Sequence, residues 1–76
     1  GDGKAAYQMG LLSLQATPQQ PADAALAATW WVKAVDAGHP LAARKLADLY
    51  RDGGPGLRAD AARSREMQQR ATELGL

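Results

Sequence analysis

Apolar and small residues return along this chain at helical spacing. Ala5, Met9 and Leu12, with Ala6 and Gly10 one step round, fall at the i, i+3, i+4, i+7 positions of a buried stripe. They predict a first helix from roughly Lys4 to Leu14. The stretch Gln15–Pro21 cannot continue it, because Pro18 and Pro21 lack an amide donor and clash with the preceding turn. Asp23 suits the N-cap of a second helix, whose stripe is Ala27, Trp30, Trp31, Ala34 and Val35. Gly38, free to take the left-handed conformation, ends it, and Pro40 fits the first turn of a third helix. That helix carries Ala42, Ala43, Leu46, Leu49 and Tyr50 on one face and stops at Gly53-Gly54-Pro55-Gly56. Asp60 caps a fourth, whose stripe of Ser64, Met67, Gln68, Ala71 and Thr72 is more polar than its counterparts. Breaks are expected at 16–22, 38–40 and 53–59.

The two halves are copies of one unit. At a constant offset of 37 positions Gly1 falls on Gly38, Ala5-Ala6 on Ala42-Ala43, Leu12 on Leu49, Pro18 on Pro55, Ala22-Asp23-Ala24-Ala25 on Ala59-Asp60-Ala61-Ala62, and Ala34 on Ala71. Softer pairs lie between, among them Met9 and Leu46, Gly10 and Ala47, and Trp30 and Met67. A period of about 20–50 residues marks repeats that bury their apolar faces against neighbours. The expected fold is therefore all-α, an α-solenoid of two helix-turn-helix repeats with about four helices. It forms one domain over 1–76, with repeat 1 at about 1–37 and repeat 2 at about 38–76.

Four segments resemble the Sel1-like repeats, relatives of the tetratricopeptide repeats. Ala5–Leu12 looks like the opening A-x-Y-x-L-G-x-L, and Trp30–Val35 looks like W-Y-x-K-A-A. Ala37-Gly38-His39-Pro40 with Ala42 resembles the G-H-x-x-A junction, and Gly54-Pro55-Gly56-Leu57 with Asp60 is similar to G-x-G-V-x-x-D. The likeness spans nearly the whole chain and implies adaptor or scaffold work, in bacteria often in signalling, envelope biology or host interaction. Departures lie in the second copy, where Met67-Gln68 replaces the aromatic pair and Arg44 stands in the place of Tyr7. Gln20 stands where Leu57 does, so the first loop lacks an apolar anchor and is expected to be the more mobile.

At 76 residues the chain is near the lower limit of what one core stabilises. Stacked arrays usually need about three repeats. With two repeats and a first residue of Gly, a piece of a longer array is expected. No apolar run approaches the roughly 20 residues of a membrane helix, so a soluble chain without membrane insertion is expected, its compartment open. Cysteine is absent, which excludes disulfides and thiolate metal sites. The net charge is +1, and although six arginines lie in the second half, no aromatic residues alternate with them. A nucleic-acid partner is not expected.

Candidate chemistry is sparse. His39 is the single histidine, and its place between Gly38 and Pro40 suits a junction residue better than a base, for which Ser13 and Ser64 make no convincing nucleophile. Gly54-Pro55-Gly56 lacks the Gly-Lys-Ser/Thr of a phosphate cradle. Asp23 and Asp60 stand where caps are required. No catalytic, metal or cofactor residue is assigned, and no enzyme activity is expected.

Function is therefore sought on a surface. Setting the predicted core aside leaves Lys4, Tyr7, Gln8 and Leu11 on the first helix and Leu41, Arg44, Lys45 and Asp48 on the third. In curved helical arrays such faces line the concave side. They are the expected binding strip for a protein or peptide partner, with Tyr7 and Arg44 as anchors; the alternative for the same residues is a solvated face carrying an Asp48–Arg44 helix pair. The alternative is a structural spacer or a homodimerisation unit that uses exposed repeat ends.

Overall fold

The computed structural model describes residues 2–76 and holds four helices: α1 (Gly3–Ser13), α2 (Ala24–Asp36), α3 (Pro40–Asp52) and α4 (Ala61–Glu73). Gly1, which the repeat pairs with Gly38, lies outside the described residues. The breaks fall where glycine and proline placed them. No strand occurs among the described residues; Gly54 and Leu57 form only an isolated bridge inside a turn. Among the described residues no helix is long and apolar enough to cross a membrane.

Each helix begins on a side-chain cap. Asp2 accepts from the Lys4 amide, Asp23 from Leu26, and Asp60 from Arg63, each at 3.0 Å. At the start of α3 the cap is His39, whose Nδ1 faces the Ala42 amide at 3.4 Å. Asp2 and His39 are repeat equivalents, so the junction histidine does the work of a capping carboxylate. Pro40 then takes the first helical position, where its missing amide costs nothing. Gly38 adopts φ +88°, and the His39 amide reaches back to the Ala34 carbonyl at 3.0 Å.

The offset of 37 holds in the backbone. The spans of α2 and α4 coincide at both ends under it. Thr17 and Gln20 exchange two backbone hydrogen bonds, as Gly54 and Leu57 do. The Asp23 amide donates to the Ser13 carbonyl and the Asp60 amide to the Tyr50 carbonyl. The two loops thus share these pairings, although Gly53 and Gly56 take positive φ where Ala16 and Gln19 do not.

α1 packs on α2, α2 on α3, and α3 on α4, in a body with extents of 38 × 27 × 14 Å. The short dimension suits two layers of helices at about 8–10 Å spacing. The core is built from alanines around Trp31, which is 2% exposed, with Val35, Leu46 and Tyr50. Trp31 reaches α1 across Gly10, and its Nε1 donates to the Tyr7 carbonyl at 3.1 Å. Trp30, one position round, is half-buried with the Lys33 ammonium 4.9 Å from its ring centre. In the second hairpin the buried Ser64 hydroxyl bonds the Ala47 carbonyl at 2.8 Å, so its polarity is satisfied.

One element departs from its expected orientation. Ala5, Met9 and Leu12, assigned by spacing to the core, are exposed, while Ala6, Tyr7, Leu11 and Leu14 pack against the core and Gly10 is buried. α1 is rotated relative to the predicted stripe. Its phase is set by the indole of Trp31, which only a residue without a Cβ can meet at this distance.

Candidate interaction surface

The eight residues of the expected strip divide into two groups. Lys4, Gln8, Leu41, Arg44, Lys45 and Asp48 are exposed on α1 and α3. Tyr7 and Leu11 are half-buried against the core. The Tyr7 ring stacks on His39, with centroids 4.7 Å apart and planes at 21°, and lies 6.4 Å from Trp31. Tyr7 thus closes the junction between the two repeats and offers a partner only part of its ring. Asp48 pairs with Arg51 at 3.8 Å, not with Arg44, and both side chains are mostly exposed. A pair of this kind contributes little, about 0–1 kcal/mol.

Charge perturbations give this surface no chemistry. Asp52 is held below the usual carboxylate range by a hydrogen bond and charge from Arg51, whose own guanidinium is raised by the same pair, and both side chains are mostly exposed. Among the described residues no three His, Asp or Glu side chains are gathered as a metal site. Gly54-Pro55-Gly56 forms the tight turn over the start of α2, where the Pro55 carbonyl accepts from the Ala24 amide at 2.8 Å. Its glycines are needed there: a Cβ at Gly54 would come 2.9 Å from the Ala24 Cβ.

The larger feature lies on the other side of α1. Met9, Leu12, Leu26, Trp30 and Pro21 line an open groove of about 700 Å³, reaching Pro55 and Gly56 of the second loop. Met9 is 41% and Leu12 57% exposed. Their repeat equivalents are not: Leu46 is 0% exposed and Leu49 half-buried. Each pair has its own hairpin partner, α2 for α1 and α4 for α3. Only α3 also has a helix of the other repeat against it. The apolar face of α1 is therefore the face that α2 covers on α3, left open.

At the opposite end the complementary surface is polar. A smaller groove of about 310 Å³ is lined by Arg44, Asp48, Arg51, Gln68 and Thr72, with Ala47, Ala71 and Leu76. Gln68 and Thr72 stand where Trp31 and Val35 stand in the first repeat. Helical spacing alone places Met9 and Leu12 in a buried stripe and does not mark them as surface residues.

Compared with known proteins, the chain matches no family model, and no curated protein matches it.

Proposed function

We propose that this chain is a non-catalytic protein-interaction module made of two stacked helical repeats, and that it binds its partner through the open apolar face of α1 and the start of α2. One observation carries this reading: Met9 and Leu12 are exposed where Leu46 and Leu49, at the same register, are covered. Apolar side chains grouped in a groove are a recognition surface in a way that scattered ones are not. Trp30 adds an aromatic side chain at the edge, the residue type most often found at binding hot spots.

Two other surfaces compete. The strip of Lys4, Gln8, Leu41, Arg44, Lys45 and Asp48 keeps an exposed Leu41, but its aromatic anchor Tyr7 is engaged in the junction. Homodimerisation through α4 would set Gln68, Thr72 and Arg65 against apolar Met9 and Leu12, leaving polar groups without partners.

Selection of a displayed peptide library against the intact chain tests the assignment, with Leu12→Glu and Arg44→Glu variants as counter-screens. The expected ligands lose binding to Leu12→Glu and retain it with Arg44→Glu. Ligands lost with Arg44→Glu alone would move the function to the α1–α3 strip. Failure to enrich any ligand would overturn the module itself.

A further inference from the structure

We infer that the groove over the first hairpin takes an aromatic ring and a guanidinium together, from a peptide segment of the partner in which a tyrosine and an arginine stand close. This rests on the proposed interaction function and names the partner's chemistry. The helices of the two hairpins start at equivalent residues. Asp23 and Asp60 each accept from the amide three residues on at 3.0 Å, and their own amides donate to the Ser13 and Tyr50 carbonyls. Ser13, Asp23 and Leu26 therefore hold in the first hairpin the places of Tyr50, Asp60 and Arg63 in the second. All six lie in helices or at their caps, so the different backbones of the two loops do not enter the comparison.

The second hairpin fills these places from within. Tyr50 is 7% exposed, the Arg63 guanidinium lies 5.8 Å from its ring centre, and the same guanidinium pairs with the Asp60 carboxylate at 3.4 Å. Ring, cation and carboxylate close on one another. In the first hairpin the ring and the cation are replaced by Ser13 and Leu26. The Ser13 hydroxyl turns back to its own helix and bonds the Met9 carbonyl at 2.8 Å, so a small group stands where the second hairpin has a ring. Asp23 has no ion-pair partner among the described residues. Ser13, Asp23, Leu26 and Trp30 instead line the open groove. These differences lie within one hairpin and owe nothing to what precedes α1. A ring set over Ser13 would meet Leu26 and Trp30, and a cation beside it would meet the Asp23 carboxylate. Arginine suits that cation better than lysine, because its planar fork stacks on a ring while it bonds a carboxylate.

Panning a displayed random peptide library on the intact chain tests this. Enriched peptides are expected to carry arginine close in sequence to an aromatic residue. The most enriched peptide, made with a fluorescent label, should bind the Asp23→Asn chain about fivefold more weakly by anisotropy, the upper range for one partly exposed ion pair. Asparagine caps a helix as well as aspartate does, so the fold is kept. Replacing the peptide's arginine by glutamine should weaken binding by the same factor, and the two losses should not add. Ser13→Tyr, which puts the chain's own ring in the groove, should weaken binding about thirtyfold, the ratio for one hot-spot residue. Asp60→Asn should leave binding unchanged. Far-ultraviolet circular dichroism checks the fold of each variant, and if Ser13→Tyr does not fold, Asp23→Asn decides. Enrichment of peptides without the arginine and aromatic pair, indifference to Asp23→Asn, or undiminished binding by a folded Ser13→Tyr chain would each overturn the inference. Peptides that depend on Leu12 yet ignore Asp23 would leave the module standing and remove its arginine ligand.

Discussion

A methyl group at Gly10 reports on the whole packing scheme. In an exposed helix, Gly→Ala stabilises by about 1 kcal/mol, because glycine loses more backbone freedom on folding. At Gly10 the new carbon would fall on the Trp31 indole, 2.7 Å from Cε2 and closer still to Nε1 and Cδ1. The indole has no room to withdraw. It is 2% exposed, and Nε1 is committed to the Tyr7 carbonyl. Overpacking of this type costs about 1–3 kcal/mol, and losing the indole hydrogen bond about 1 more. After the helical gain, Gly10→Ala is expected to destabilise by about 1–3 kcal/mol, a fall in melting temperature of about 4–8 °C per kcal/mol in a domain of this size. Ala47, the repeat equivalent, is tolerated because Gln68 stands where Trp31 would. In a Trp31→Gln background the sign should therefore reverse, and Gly10→Ala should stabilise. Thermal and urea unfolding of the four proteins, followed by circular dichroism with an osmolyte to keep the weaker variants folded, reads this cycle. Stabilisation by Gly10→Ala in the wild-type background would refute the placement of the Trp31 ring.

Other outcomes follow from the same geometry. Leu46→Ala should cost about 2–5 kcal/mol in the denaturant midpoint, whereas Met9→Ala, at the same register, should stay within about 0.5 kcal/mol. Trp31→Ala should cost about 3–5 kcal/mol, and Tyr7→Ala less but more than an exposed site, since its ring supports His39. Loss of the capping carboxylate in Asp60→Ala should cost about 1 kcal/mol by the same measurement, with Asp60→Asn nearly neutral. In hydrogen exchange the Ala24 amide, held by Pro55, should be more protected than the Ala61 amide at the equivalent helix start.

Much of the architecture is written in local signals. Asp23, Asp60, Gly38 and Pro40 act within a turn of where they stand, so the helix ends could be read directly from them. The phase of α1 could not. Ala5, Ala6, Tyr7, Met9, Gly10, Leu11 and Leu12 cover so much of its circumference that spacing alone admits more than one buried stripe. The choice is made by Gly10 meeting Trp31, a contact across 21 residues of chain. The candidate surface was hidden for a related reason. Leu12 and Leu49 are the same residue in the same local setting, and only the neighbouring repeat separates an exposed side chain from a half-buried one.

The neighbour-to-neighbour packing of the helices also shapes how the chain reaches its fold. Because α1 meets α2, α2 meets α3 and α3 meets α4, every principal contact joins segments adjacent in sequence. Such low contact order favours fast folding, since little loop-closure entropy is spent before contacts form. The middle pair, α2 and α3, each has a helix on both sides, and around them gather Trp31, Val35, Leu46 and Tyr50. A nucleus forming there can recruit either outer helix independently. Opening then starts from the outside, at α1 and α4, each of which packs against a single neighbour.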